Sequence, residues 1–553
     1  MFVHSNSKEE NSTRRVSIPT QGGLEDAHPV HGIQTSEGSM VLCGKASVLE
    51  GEAELGSEAF AIKVDGLGGL VWSWSSGLVR KGKGSNVANA VVQVSSKEVL
   101  VVGYSTISGS SGAKSGARTM WKLDLQTGGE LWKAELGQND AGSKTSAYEM
   151  AEVDGDSLLL SGVTNKDNLD EMFFKSYGNV AEGVAFVESF PLSSIAGLVT
   201  PKPTDSARSW ITTFAGYSTA KAARAAGDSV VVLLYGEDNE KHAGLAVVNK
   251  KDGAHGSSWP KNYGNSHGEA TDLVVSHDKK AVVITGHKSV EPGTYSGALS
   301  KITLDQGILS WSKFYGAGGN PYLIYNECWS VARVGTDGYI LGCGTGIEGC
   351  EDTAAKEKGF YDDCVKGKGD TRDGAINRPP GVWQSYLNVV SEDGNLLYSR
   401  VDQYRQADPL DEFPLGAPSW SENRMQSSAA EWVFETTDGG ITVITDEQFG
   451  IGLLKLKGST TTTPGGPASP SPAPTPTPTP TPAPAPGSPG LVTGRAMYNQ
   501  DPQVEEKGDD TLTLVLIIVG AVLGCAILGY GAFVLVNRRK AKAGESTVVA
   551  GEL

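Results

Sequence analysis

The side chains that could do chemistry in this chain are few and scattered: six Cys and eight His are spread over 553 residues. Cys350 and Cys364 bracket the acidic stretch CEDTAAKEKGFYDDC, a separation that suits a loop-closing disulfide in an oxidising compartment. Cys328 and Cys343 fall on two strands expected to pair, and their spacing fits either a diagonal disulfide across that hairpin or two buried free thiols. Cys43 and Cys343 read as occupants of one repeat position. There is no CxxC, which removes both the dithiol redox motif and the paired knuckles of a zinc site. The loop 345–382 carries Glu348, Glu351, Asp352, Asp362 and Asp363 and is the best candidate for a partner or Ca2+ surface. Its carboxylates lack the alternate spacing and the glycine of a calcium loop, so a solvated acidic loop is the plainer expectation, as it is for NKDNLDE at 165–171. No nucleophile elbow, zinc-protease pair, phosphate loop or dinucleotide fingerprint stands in a fitting context. No catalytic, cofactor-binding or metal residue is therefore assigned. Asn11, in NST, is the standard N-glycosylation sequon, usable only if the N-terminus enters the secretory lumen.

Composition bounds what could position such groups. With 71 Gly, 26 Pro and 39% hydrophobic residues, several close-packed helical domains are excluded in favour of a large Gly-rich β structure with an unstructured part. The formal charge of −17, from 64 acidic and 47 basic residues, repels phosphate backbones, so no nucleic-acid partner is expected.

One run, LTLVLIIVGAVLGCAILGYGAFVLV between Leu512 and Val536, has neither charge nor proline. At about 1.5 Å per residue it reaches roughly 37 Å, enough to cross the ~30 Å hydrocarbon core of a bilayer, which makes the bilayer a partner through this helix. Arg538, Arg539, Lys540 and Lys542 stand at its C-terminal edge, and the positive-inside bias places the tail 537–553 in the cytoplasm and the rest outside. The sequence opens on MFVHSNSKEENSTRRVSIPTQGG, without an apolar leader; a type I orientation then expects a leader upstream, and a tail-anchored, cytosol-facing scaffold is the alternative. Gly520 and Gly524 form GxxxG, a spacing that lets two helices pack as a dimer. Residues 457–511 hold GSTTTTPGGPASPSPAPTPTPTPTPAPAPGSPG. Proline fixes φ and removes the amide donor, so this segment reads as an extended stalk, with threonines of the kind that carry O-glycans in mucin-like spacers.

The first 456 residues repeat. A short apolar strand ending in glycine recurs as MVLCG (Gly44), VLVVG (Gly103), LLLSG (Gly162), VVLLYG (Gly236), VVITG (Gly286) and YILGCG (Gly344), with ITVITD ending at Asp446. Most copies succeed one another at roughly 50 to 75 residues, the period of a propeller or solenoid. Behind most of them comes a hairpin with an Asp/Gly turn, as in AFAIKVDGLGGLVWSW and ALSKITLDQGILSW, and ahead stands another strand. Four antiparallel strands per unit make a propeller blade. The expected fold is all-β: a seven-bladed propeller over 14–456 after an N-terminal segment 1–13, or an eight-bladed one if the stretch between Gly344 and Asp446 hides another blade. TRRVSIPTQGG looks like the strand missing from the last blade, which the N-terminus would complete, removing both open edges.

KLDLQTGGELW, in which Asp124, Thr127, Gly128 and Trp132 match DxxTGxxxW, resembles the repeat of quinoprotein-dehydrogenase-like (PQQ-type) β-propellers. Trp72, Trp311 and Tyr398 fall at similar places in degenerate copies. The resemblance covers the repeat only and implies that the aromatic packs against the neighbouring blade. It also implies quinone as the cofactor to consider beside Ca2+, yet the adjacent-Cys pair of such enzymes is absent here. The expectation is a membrane-tethered binding, adhesion or receptor-like module, with a protein or glycan ligand on propeller loops and no cofactor; a membrane-tethered quinoprotein-like ectoenzyme is the competing class.

Overall fold

The structure is a computed structural model. It describes residues 3–4, 14–18, 24–50, 53–77, 85–108, 114–137, 146–164, 183–197, 201–236, 242–291, 294–316, 325–336, 338–346, 384–402, 404–405, 425–426, 428–447 and 450–456. All lie in a compact unit that runs from Met1 to Pro464. Among them no helix is long and apolar enough to cross a membrane, and the run between Leu512 and Val536, the stalk and the tail lie outside the described residues.

Alternating and continuous apolar runs rich in Val, Ile and Leu form strands, and Asp/Gly pairs turn them. Among the described residues the strands make seven antiparallel blades. In each of the first six the strands pair in chain order. Blade 1 begins with Leu24–Gln34, blade 2 with Asn86–Ser95, blade 3 with Ser146–Asp154, blade 4 with Thr219–Ala226, blade 5 with Glu269–Val275 and blade 6 with Tyr325–Val334. Blade 7 consists of Ser428–Glu435, Ile441–Glu447 and Gly450–Leu456, and its fourth strand is Arg14–Ile18 from the other end of the chain, with Val3–His4 outside it. Val16 pairs with Leu453 and Ile18 with Ile451, so the ring is closed by hydrogen bonds between the two ends of the propeller sequence. First strands of neighbouring blades touch all the way round, blade 7 to blade 1 included, and hence line the axis. Between the fourth strand of blade 6, Leu396–Asp402, and blade 7, the described residues hold only the short pair Tyr404–Arg405 and Met425–Gln426. The count is seven, and the eight-bladed alternative is set aside.

The recurrent glycine has a specific cause. Every first strand carries a bulge, between Pro29 and His31, Ala88 and Ala90, Tyr148 and Met150, Ala220 and Ala222, Ala270 and Asp272, Cys328 and Ser330, and Ala430 and Trp432. The extra residue pushes the first-strand backbone toward the second strand. A methyl group on Gly44, Gly103, Gly162 or Gly286 would lie 1.9 to 2.0 Å from the carbonyl oxygen of His28, Val87, Ala147 or Glu269. Register puts Leu234, Cys343 and Thr445 at this position in blades 4, 6 and 7, not Gly236, Gly344 and Asp446 as the sequence pattern suggests. Cys43 therefore does not share a position with Cys343: it lies one residue before Gly44, buried in blade 1.

In blade 6 the close approach is filled by a covalent bond. Cys328 pairs directly with Cys343, not diagonally, their Cα atoms are 3.9 Å apart, and their sulfurs are joined at 2.08 Å. Where the other glycines leave no room for a Cβ, here two Cβ atoms share the space through a disulfide.

Replacing Gly162 by Ala should cost about 2–4 kcal/mol, because its methyl meets backbone that cannot yield. Gly155, at φ +60° with nothing within 4 Å of a built Cβ, should lose only about 1 kcal/mol on the same change. Equilibrium denaturation of the two variants checks the contrast.

Candidate functional site

Blades must be held face to face before any face of the ring can bind. The lock is an aromatic ring from one blade laid on the turn between the third and fourth strands of the next. Trp72 of blade 1 donates its Nε1 proton to the Leu125 carbonyl at 2.9 Å, and Lys63 donates to the same oxygen at 3.0 Å. Beneath the indole lies Gly128, at φ +71°, where a Cβ would come within 2.7 Å of the ring. Asp124 organises this turn by accepting from the Gln126 and Thr127 amides and the Thr127 hydroxyl. Burial alone would raise the Asp124 carboxyl, but those hydrogen bonds hold it below its ordinary value.

The arrangement recurs around the ring. Trp210 of blade 3 donates to the Lys250 carbonyl at 2.9 Å over Gly253, and Trp311 of blade 5 lies over Gly394, whose carbonyl accepts from Tyr315 at 2.7 Å. Trp259 of blade 4 lies against Gly307. Blade 3 has an insertion in place of the turn, so the seam from blade 2 differs. There Lys122, on the third strand beside Trp132, donates to the carbonyls of Ile195 and Gly197 at 3.0 and 2.7 Å and pairs with buried Glu98 at 3.2 Å.

The strands around the axis carry charges in otherwise apolar runs, SAYEMAEVD, TAKAARAA and EATDLVV. A buried charge is tolerated only when paired and hydrogen-bonded. Lys221 of blade 4 donates to Glu269 of blade 5 at 3.2 Å; Arg224 donates to Asp272 at 3.0 Å and approaches Glu152 of blade 3 at 4.0 Å. The other Asp272 oxygen accepts from the Val331 amide of blade 6 at 3.2 Å. Asn89 reaches the Tyr148 carbonyl, and Thr271 that of Cys328, each from a bulge position into the next blade. A second buried group sits between blades 2 and 3: Arg118 and Arg208 donate to Glu188 at 3.3 and 3.1 Å, and Tyr148 donates to it at 2.6 Å. Burial, reinforced by the Glu188 charge, carries the Tyr148 phenol well above its ordinary value.

Burial raises both Glu152 and Glu269 to about 7, against the attraction of Arg224 and Lys221 respectively. His267 and His287, buried on blade 5, are lowered to about 4 and about 3 by desolvation and stay neutral. The cluster can thus exchange a proton near neutral pH, and its charges bridge blades 3 to 6. Among the described residues no group of three or more His, Cys, Asp or Glu could hold a metal ion.

Pattern reading misses these axial residues. The signal for them is the isolated charge inside a buried strand, which strict alternation assigns to solvent. Of the residues singled out from sequence, Trp72, Asp124, Gly128 and Trp311 meet in the seams, with Thr127 in the turn and Trp132 beside Lys122. Cys350, Cys364, Asn11, Gly520, Gly524, Arg538, Arg539, Lys540 and Lys542 lie outside the described residues, as do the acidic residues of 347–383 and the segment 165–171.

Antiparallel pairing sorts the connections onto two faces. Links from first to second strand and from third to fourth, such as 35–39, 65–69 and 125–129, lie on one, the turn face. Links from second to third strand and between blades start and end on the other, where the described strand ends flanking 165–183, 347–383 and 403–427 are found. Glu149, Lys221 and Glu269 stand near the starts of their strands, toward this loop face. The third strand of blade 7 ends at Leu456, on the turn face.

No family model matches this sequence, and no relative is found among curated proteins. Similar solved structures include virginiamycin B lyase from Staphylococcus aureus (10% identity, 80% of this chain and 99% of that one, TM-score 0.35). A quinohemoprotein alcohol dehydrogenase from Pseudomonas putida (9%, 82% and 78%, 0.35) and the soluble aldose sugar dehydrogenase of Escherichia coli (11%, 80% and 99%, 0.31) are also among them. The likeness to quinoprotein dehydrogenases is one of repeat and architecture, and it carries nothing about activity.

Because Glu269 has a higher pKa folded than unfolded, the fold holds an extra proton between about pH 4.5 and 7 and loses stability as pH rises through that window. The Glu269→Gln variant lacks this loss. Its melting temperature relative to the parent should therefore rise by a few degrees between about pH 5 and pH 8; a difference independent of pH contradicts the assignment.

Proposed function

We propose that the chain is a single-pass membrane protein that displays its propeller as a binding or receptor-like module, using the loop face for contact. The observation that carries this reading is the division of the two faces. Three long connections, 165–183, 347–383 and 403–427, are anchored on one face, while the chain leaves toward the Pro/Thr-rich segment at Leu456 on the other. A stalk attached there would leave the loop face clear of the chain's own exit, free to meet a protein or glycan. The apolar run between Leu512 and Val536 and the four basic residues behind it support anchoring with the tail in the cytoplasm. In the axial cluster Lys221 and Arg224 are engaged with carboxylates of the next blade, which favours a frame-building role there over catalysis.

Protease treatment of unpermeabilised cells tests this with one epitope in 347–383 and another after Lys542. The loop epitope should be lost and the tail epitope protected. The contradicting result is a loop epitope that survives on intact cells and is lost only once the cytosol is opened to the protease, which would assign the chain to the tail-anchored scaffolds.

A further inference from the structure

Blade 6 handles the close approach of its first two strands differently from its neighbours. Blades 2 and 5 set Ala88 against Gly103 and Ala270 against Gly286, and a methyl on either glycine would lie 1.9 Å from a first-strand carbonyl oxygen. At the same register blade 6 sets Cys328 against Cys343. Two side chains fit there because their sulfurs are bonded; two thiols cannot come as close as two joined sulfur atoms.

The surroundings leave the sulfurs no room to part. Both cysteines are fully buried, and Cys328 Sγ faces the third strand of blade 5, Thr294–Thr303, where a Cβ on Gly297 would come within 2.5 Å of it. The Cys328 carbonyl accepts from the Thr271 hydroxyl of blade 5 at 2.9 Å, which ties this point of the first strand to the neighbouring blade. On its other side Cys343 stands against Tyr386, and Asn388 Nδ2 lies 3.9 Å from its sulfur. Val283, Leu299 and Tyr315 from blade 5 and Leu341 from blade 6 close the same core. Close-packed side chains pass a local separation on to their neighbours, here across the seam between the two blades.

We propose that the Cys328–Cys343 bond is an oxidation-dependent latch. With the bond formed, blade 6 closes against blade 5; with both thiols free, its first and second strands, Tyr325–Val334 and Gly338–Gly346, separate and that seam loosens. Neither sulfur can be reached in the closed blade, so the bond forms while the hairpin is open. One thiolate attacks the disulfide of a thiol–disulfide oxidoreductase, giving a mixed disulfide and releasing one donor thiol. The second cysteine then displaces the other, so that two electrons and two protons pass to the donor, which leaves as a dithiol. The propeller therefore matures in an oxidising compartment. The latch rests on contacts within blades 5 and 6 alone. Only the compartment it implies bears on the membrane reading, and protease accessibility of the loop epitope reads that separately.

Hydrogen exchange of the detergent-solubilised full chain tests the latch, in a background carrying Cys350→Ser and Cys364→Ser so that only this bond responds. A phosphine reductant in dilute urea is applied until both new thiols appear, and the urea is removed. Amides of Tyr325–Val334 and Gly338–Gly346 should then exchange roughly tenfold faster, while those of Asn86–Ser95 in blade 2 keep the parent rate. The Cys328→Ala/Cys343→Gly variant installs the pair used in blades 2 and 5 and should exchange like the oxidised parent, with or without reductant. Unchanged exchange in blade 6 after reduction overturns the proposal. So does acceleration that is equal in blade 2, because reduction would then have loosened the ring as a whole. Denaturing lysis of cells in maleimide should leave Cys328 and Cys343 unlabelled; label on both means that the cell does not make the bond, and overturns it as well.

Discussion

An aromatic ring lying on a glycine turn sets how one blade stands against the next, and the closed ring depends on repeating that relation. At Gly128 two requirements coincide: the turn needs a positive φ, and the Trp72 indole occupies the space a side chain would take. The indole proton and the Lys63 ammonium then converge on one carbonyl, Leu125, so the seam has direction as well as apolar contact. At the seam between blades 2 and 3 an insertion replaces the turn, and the joint changes accordingly. The aromatic remains, and a buried Lys122–Glu98 pair with two backbone carbonyls completes the contact. At the closing seam the ties are again different: His28 meets Asp446 at 2.5 Å and the His31 ring lies 4.2 Å from that of Trp432.

A second constraint acts nearer the axis. In blades 1, 2, 3 and 5 the bulged first strand comes too close to the second for a Cβ, which is why glycine stands there. Blade 6 meets the same geometry with the Cys328–Cys343 bond. The bulges also free side chains to reach sideways, so that Asn89, Thr271 and Asp272 bond to the next blade. Polar groups in the interior thus serve the joints between sheets, and their removal would leave buried partners unsatisfied.

The blades are legible in the sequence because strand, turn and aromatic recur together, and because TRRVSIPTQGG has the pattern of a fourth strand without three others beside it. Errors of register have one source. A bulge adds a residue to the first strand only, so the second strand, read alone, gives no sign of which residue faces it. Gly236, Gly344 and Asp446 are displaced for that reason, and the cysteine pair is direct where a diagonal was expected. The axial charges escape notice because Glu149, Lys221, Glu269 and Asp272 look like the solvent side of an alternating strand, whereas the first strands here are buried over most of their length. The face bearing the long connections is settled by antiparallel topology once the blades are assigned.

The seams are thus the frame on which the loop face is carried, and a double-mutant cycle between Trp72 and Gly128 tests them most directly. Gly128→Ala alone should be strongly destabilising because its methyl meets the indole. With Trp72→Ala also present that collision is gone, and only the φ penalty of about 1–2 kcal/mol should remain. Measured by denaturation, the double variant should be more stable than the sum of the single losses by at least about 1 kcal/mol. Strict additivity would mean that the ring does not rest on the turn, and would contradict the account.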